Sequence, residues 1–126
     1  MTKKLSILLI FLIFILGLFL RFYKLGKIPP ALDWDEVSLG YNAYALLNTG
    51  MDEYGNSWPI SIRSFNDYKA PIYVYLSLLT IKIFGLNEFS VRFISALFGS
   101  LTVILTYFLF KKITRLEASG LLTALF

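Results

Sequence analysis

Residues 5–20 read LSILLIFLIFILGLFL, an unbroken apolar run preceded by Lys3 and Lys4 and followed by Arg21. As a helix this run rises about 24 Å, and Arg21, Phe22 and Tyr23 carry it towards the roughly 30 Å of bilayer hydrocarbon. It is longer than the apolar part of a secretory signal, and RFYKLGKIPP after it has no small-x-small cleavage site. Residues 5–23 therefore read as an uncleaved transmembrane anchor. Two further runs follow, PIYVYLSLLTIKIFGL at residues 71–86 and FISALFGSLTVILTYFLF at residues 93–110, the latter closed by Lys111 and Lys112. Lys82 lies near the end of the first of these and can snorkel to the interface. Ser95, Gly99, Thr102 and Thr106 give the second a small face, which predicts close helix packing. A fourth run opens at Ala118 and reaches Phe126, too short to span.

The composition agrees with these runs. Of 126 residues, 57% are hydrophobic and 16% charged, with 12 Lys+Arg, 8 Asp+Glu and a net charge of +4. Soluble domains carry about 25% charged residues. Absence of Cys and His excludes disulfides, thiolate or imidazole metal sites, and Cys or His catalysis. Chemistry falls to Asp, Glu, Lys, Arg, Tyr and Ser. The basic residues flank apolar runs instead of forming a stripe, so nucleic acid is not an expected partner. The expected fold is an all-α polytopic membrane protein: spans at 5–23, 71–86 and 92–110, the start of a fourth at 118–126, and a first loop, 24–70, carrying a juxtamembrane helix.

Only that loop is polar enough to hold a site in water. Between Arg21 and Lys69 its bases (Arg21, Lys24, Lys27, Arg63, Lys69) nearly balance its acids (Asp33, Asp35, Glu36, Asp52, Glu53, Asp67). After Pro29-Pro30, Asp33 and Glu36 fit a D-x-x-E capping box, and Gly50 suits a helix end, which predicts a helix from about Trp34 to Thr49. Its apolar and aromatic sides suit the headgroup region. The punctuation of EYGNSWP marks turns, and Ile60 and Ile62 suggest a short extended piece.

Two features could carry chemistry. The first is Asp33-Trp34-Asp35-Glu36. Capping and the helix dipole account for Asp33 and Glu36, whereas a third carboxylate adds repulsion, leaving Asp35 as either a dipole partner or a functional acid. A divalent cation on Asp33 and Asp35 would need further oxygen ligands, so no cofactor is expected. The second is Lys69, just outside the run at 71–86: either an interfacial anchor or a point charge for the phosphate of a lipid-linked molecule. Arg63 is a second candidate for that phosphate.

In order along the chain stand an anchor, DWDEVSLGYNAYALLNTGMDEYGNSWP, DYKAPIYVYL and FGLNEFSVRFISALFGSLTVILTYFL. Together they resemble the N-terminal part of a membrane-embedded glycosyltransferase of the C-type superfamily, of the protein O-mannosyltransferase and aminoarabinose transferase-like family. The resemblance implies a polyprenyl-phosphate-linked sugar donor and an acceptor hydroxyl on protein, lipid or glycan. It places Asp35 at the catalytic aspartate position with Glu36 as its companion, and Lys69 on the donor phosphate; beside Lys69, Arg63 and Tyr73 are expected to bind substrate. Family members are several times longer, so the resemblance implies a fragment, residues 1–126, of a larger membrane domain. The chemistry suits these residues: transfer from a sugar phosphate needs a base at the acceptor hydroxyl and a cation at the departing phosphate.

Charge counting alone favours an N-terminus outside the membrane. The resemblance implies the reverse, an integral protein of the plasma membrane with its catalytic loop on the exoplasmic face, and that orientation is the expectation taken. The alternative from another class is a small non-catalytic polytopic membrane protein, a transporter part or interaction subunit. It accounts for the helices but not for carboxylates and a lysine flanking one loop.

Overall fold

A computed structural model describes residues 3–126, with Lys3 by its backbone alone. In chain order it holds α1 (Lys3–Phe22), α2 (Trp34–Thr49), the strands β1 (Ile62–Ser64) and β2 (Asp67–Lys69), α3 (Pro71–Phe84), α4 (Glu88–Thr114) and α5 (Glu117–Leu125). By packing the chain divides into two compact units, Met1–Tyr23 with Ser95–Phe126, and Lys24–Ile94.

The first unit is helical. Along α1, Leu8, Phe11, Leu12, Ile15, Phe19 and Leu20 are exposed. A helix this apolar, with its large side chains turned outward, has the character of a membrane span. Val103 and Tyr107 of α4 are buried with Ala124 of α5, and Ile10, Ile13 and Leu121 pack against them. The buried stripe of α4 therefore runs through Ala96, Ser100, Val103 and Tyr107, while Ser95 and Thr102 of the expected small face are exposed. Tyr107 Oη donates to Glu117 Oε2 at 2.7 Å, and Lys111 Nζ lies 2.7 Å from Glu117 Oε1, closing the turn into α5.

The second unit is built on α2 and α3. Ala43, Leu46, Ile62, Val74 and Ile81 form its core, with Leu39, Leu47, Tyr75 and Leu78 packed against them. Helix α2 has the expected bounds. Asp33 N–H donates to Glu36 Oε2 at 3.0 Å, the return bond of the capping box, and Gly50 ends the helix at φ 72° with its N–H on Leu46 O. The first turns of α4 belong here too. Asn87 and Ser90 cap them reciprocally, Ser90 N–H to Asn87 Oδ1 at 2.9 Å and Asn87 N–H to Ser90 Oγ at 3.2 Å. That cap starts α4 a turn before the expected residue 92. Thr80 Oγ1 donates to Ser90 O and Tyr73 Oη to Val91 O, tying α3 to α4.

Two helices among the described residues are long and apolar enough to cross a membrane, Lys4–Phe22 with a mean hydropathy of 2.8 and Glu88–Thr114 with 2.0. The expected count of three spans and part of a fourth is met only that far. Helix α3 runs from Pro71 to Phe84 and ends before Gly85, which stands at φ 75°. It rises about 21 Å, less than the hydrocarbon thickness. The short extended piece expected around Ile60 and Ile62 is β1, beginning at Ile62, and it pairs with β2 to make residues 62–69 a hairpin.

Gly40 of α2 lies against α4, where a Cβ would stand 2.7 Å from Val91 Cγ2. Val91 is buried and β-branched, so it cannot swing aside. We expect Gly40→Ala to destabilise this unit by about 1–3 kcal/mol, read as a lower midpoint of thermal unfolding in detergent.

Candidate functional site

Arg92 is buried near the start of α4. A guanidinium has five N–H groups, and each one here has its own acceptor. Nε donates to Glu36 Oε1 at 2.8 Å, and Nη2 to Glu36 Oε2 at 2.9 Å and Ala31 O at 2.8 Å. Nη1 donates to Pro29 O at 2.9 Å and Leu25 O at 3.2 Å. The fork grips both oxygens of one carboxylate and at the same time gathers three carbonyls of the chain leading into α2. Hydrogen bonds from Arg92, and behind them that from the Asp33 N–H, hold the Glu36 carboxyl below the usual carboxylate range against the opposing effect of burial. Both oxygens of Glu36 are thus committed to holding the loop.

Asp35, next in the first turn of α2, stays outside this network. Its side chain is 61% exposed, and its Oδ1 accepts from Lys69 Nζ at 2.6 Å. Lys69 lies at the end of β2, its side chain 18% exposed, and also donates to Asp67 Oδ2 at 3.1 Å. Hydrogen bonds to Asp35 and then Asp67 raise the Lys69 ammonium above the ordinary lysine value. The bond from Lys69 is the largest influence that lowers Asp67. Two of three ammonium N–H groups are engaged, so one remains for an anion. Asp35 Oδ2 accepts no hydrogen bond among the described residues.

The hairpin makes this meeting. Ser64 pairs with Asp67 across two residues, Phe65 at φ 48° and Asn66 at φ 62°, a type I′ turn. Trp34 meets Phe65 edge to face at 5.4 Å, which docks the turn beside the start of α2. Directly paired residues share a face of an antiparallel pair. Ile62, which belongs to the core, pairs with Lys69, so the face carrying Asp67 and Lys69 is the one turned to α2.

Arg63 pairs with Tyr68 on the opposite face, away from Asp35 and Lys69. Its guanidinium lies over the Tyr54 ring at 5.1 Å and donates to Asn66 Oδ1 at 3.3 Å. Tyr73 is part of the tie between α3 and α4 already described. Asp33 serves the cap, and no three acidic side chains converge on one point among the described residues. Of the residues singled out in the sequence, the structure therefore brings Asp35 and Lys69 together and turns Glu36 to Arg92. Sequence reading assigned no role to Arg92, although a signal was there: a basic residue inside an apolar run seldom stays without a partner.

Residues 11–126 match the sequence profile of the dolichyl-phosphate-mannose-protein mannosyltransferases. An uncharacterized protein of Aquifex aeolicus (strain VF5) is 33% identical over 100 residues, covering 70% of this chain and 19% of that protein. The chain thus spans about a fifth of that relative's length. No solved structure matches it.

Removing Arg92 leaves Glu36 and three carbonyls without their donor. Arg92→Met is expected to cost about 3 kcal/mol, and Arg92→Lys to recover only part because an ammonium lacks the fork. Limited proteolysis of the segment before α2 reads the loss. The folded pKa of Glu36 is depressed, so its contribution is complete above the unfolded value of about 4.3 and disappears as pH falls through the lower folded value. Protease resistance should therefore be flat from about pH 5 upward and fall below about 4, a fall that is smaller in Arg92→Met.

Proposed function

Since the chain belongs to the dolichyl-phosphate-mannose-protein mannosyltransferase family, we propose that its loop carries the catalytic base and phosphate contact of a membrane glycosyltransferase. The enzyme moves a mannose- or aminoarabinose-like sugar from a polyprenyl-phosphate donor to an acceptor hydroxyl. Asp35 takes the proton of that hydroxyl. The acceptor oxygen bonds to the anomeric carbon as the bond from that carbon to the phosphate oxygen breaks. The electron pair leaves with the polyprenyl phosphate, whose charge Lys69 meets. The leaving group is already an anion, so electrostatic stabilisation by the ammonium replaces a general acid.

The observation that carries this reading is the 2.6 Å contact between Lys69 Nζ and Asp35 Oδ1, both outside the apolar helices. The proposed base and cation share one site and pair with each other there, with an oxygen on one and an N–H on the other unengaged. Glu36 acts as the companion that holds the first turn of α2 in place through Arg92. The chain anchors in the plasma membrane by its apolar helices, with the loop on the exoplasmic face.

In transfer assays on the purified full-length protein, Asp35→Asn should lower turnover by about 10²–10⁴, the usual worth of a positioned base. Near-normal turnover would remove the assignment. Lys69→Ala should raise the KM for the lipid donor, and an unaltered donor KM would remove the clamp. Ser57 is exposed on the loop. A cysteine placed there in intact cells should react with an impermeant maleimide, whereas reaction only after permeabilisation reverses the orientation.

A further inference from the structure

The outer face of the hairpin borders a recess of about 670 Å³ within the same unit. The lining residues that matter are Tyr54, Asn56, Ser57, Ser61, Arg63 and Tyr68. This volume is within the range of ligand sites, about 300–1,000 Å³. Because Arg63 and Tyr68 share the face opposite Lys69, an occupant here leaves the Lys69–Asp35 contact intact.

Its walls are set before any ligand arrives. Trp58 stacks on Tyr75 with ring centroids 6.0 Å apart and planes at 12°, and Tyr75 Oη donates to Pro59 O at 2.7 Å. Asp52 Oδ1 receives the N–H groups of Tyr54 and Asn56 at 3.0 and 2.8 Å, and Asn56 Nδ2 reaches Asp52 Oδ2 at 3.0 Å. A site already rigid loses little entropy on binding.

We infer that this recess is an oligosaccharide-binding groove. A pyranose offers an apolar C–H face, which lies on an aromatic ring, and a rim of hydroxyls, which pair with hydroxyl, amide and guanidinium groups. Both halves of that requirement are present. Tyr54 and Tyr68 are 52% and 67% exposed, and two serine hydroxyls, the Asn56 amide oxygen and the Arg63 guanidinium stand among them. No carboxylate pairs with Arg63 among the described residues, and one N–H goes to Asn66, leaving the others for sugar hydroxyls. Naming this occupant as the acceptor of the transferred sugar rests on the function proposed above. The groove then holds an extended acceptor on one face of the hairpin while the reacting end reaches the other.

The test is titration of the purified full-length protein in detergent with maltohexaose and with glucose, followed by calorimetry or saturation-transfer NMR. Maltohexaose should bind saturably and more tightly than glucose. Tyr68→Ala should weaken it by about threefold to tenfold, the worth of one aromatic contact, while Tyr68→Phe keeps most of the affinity. Arg63→Ala should weaken it as well, with resistance to proteolysis showing that the hairpin still folds. No saturable binding, equal affinity in Tyr68→Ala, or displacement of the sugar by inorganic phosphate would overturn the inference. Asp35→Asn separates the two readings: it should abolish transfer and leave maltohexaose binding in place. If transfer fails in the unaltered protein but the sugar binds, the groove stands without the acceptor assignment.

Discussion

Five N–H groups on one buried guanidinium all have to be met, and at Arg92 they are. An arginine near the head of an apolar helix is too costly to leave without partners. The partners come from elsewhere in the chain: one carboxylate in the first turn of α2 and three carbonyls of the segment before it. The path of residues 25–31 and the direction in which α2 sets out both follow. Asp35 inherits its position from this, because the residue after it is pinned at both oxygens. The capping bond from Asp33 to Glu36 uses one of the same oxygens, so the cap and the clamp reinforce each other.

The hairpin carries this order to the second half of the site. Its two-residue turn sets the register, and the register sorts side chains by face. Lys69 and Asp67 fall on the side of Asp35, while Arg63 and Tyr68 border the outer recess. Two basic residues that resemble each other in the sequence thus serve different surfaces. Lys69 exchanges its hydration for two carboxylates, and Arg63 lies on an aromatic ring with most of its donors unspent.

Much of the local structure was legible beforehand. Asp33, Glu36 and Gly50 mark the ends of α2 because caps act over a few residues. The anchor was visible because a sixteen-residue run with no charge and a single hydroxyl leaves few alternatives. The hairpin was harder to see. Its turn is Phe65-Asn66, and a phenylalanine at positive φ departs from the Asn-Gly pattern that announces a type I′ turn. The docking of Phe65 on Trp34 accompanies that uncommon backbone, and no local pattern predicts such a contact. The packing face of α4 was only partly foreseen: small residues suggest where helices can approach, yet Ser95 and Thr102 are exposed while Ala96, Ser100, Val103 and Tyr107 are buried.

The sequence by itself determined the apolar helices, the ends of α2, the absence of Cys and His chemistry, and the family resemblance, since each depends on composition or on neighbours within a few positions. Only the tertiary structure decided which charges meet. Lys69 is 34 residues from Asp35, and Arg92 is 56 from Glu36. Over such separations the pairing depends on the register of a hairpin and on where a buried arginine finds five acceptors. Neither is written in the spacing of residues, because each is settled by the packing of α2, β1 and α3 around one core, with the start of α4 set against α2 and α3.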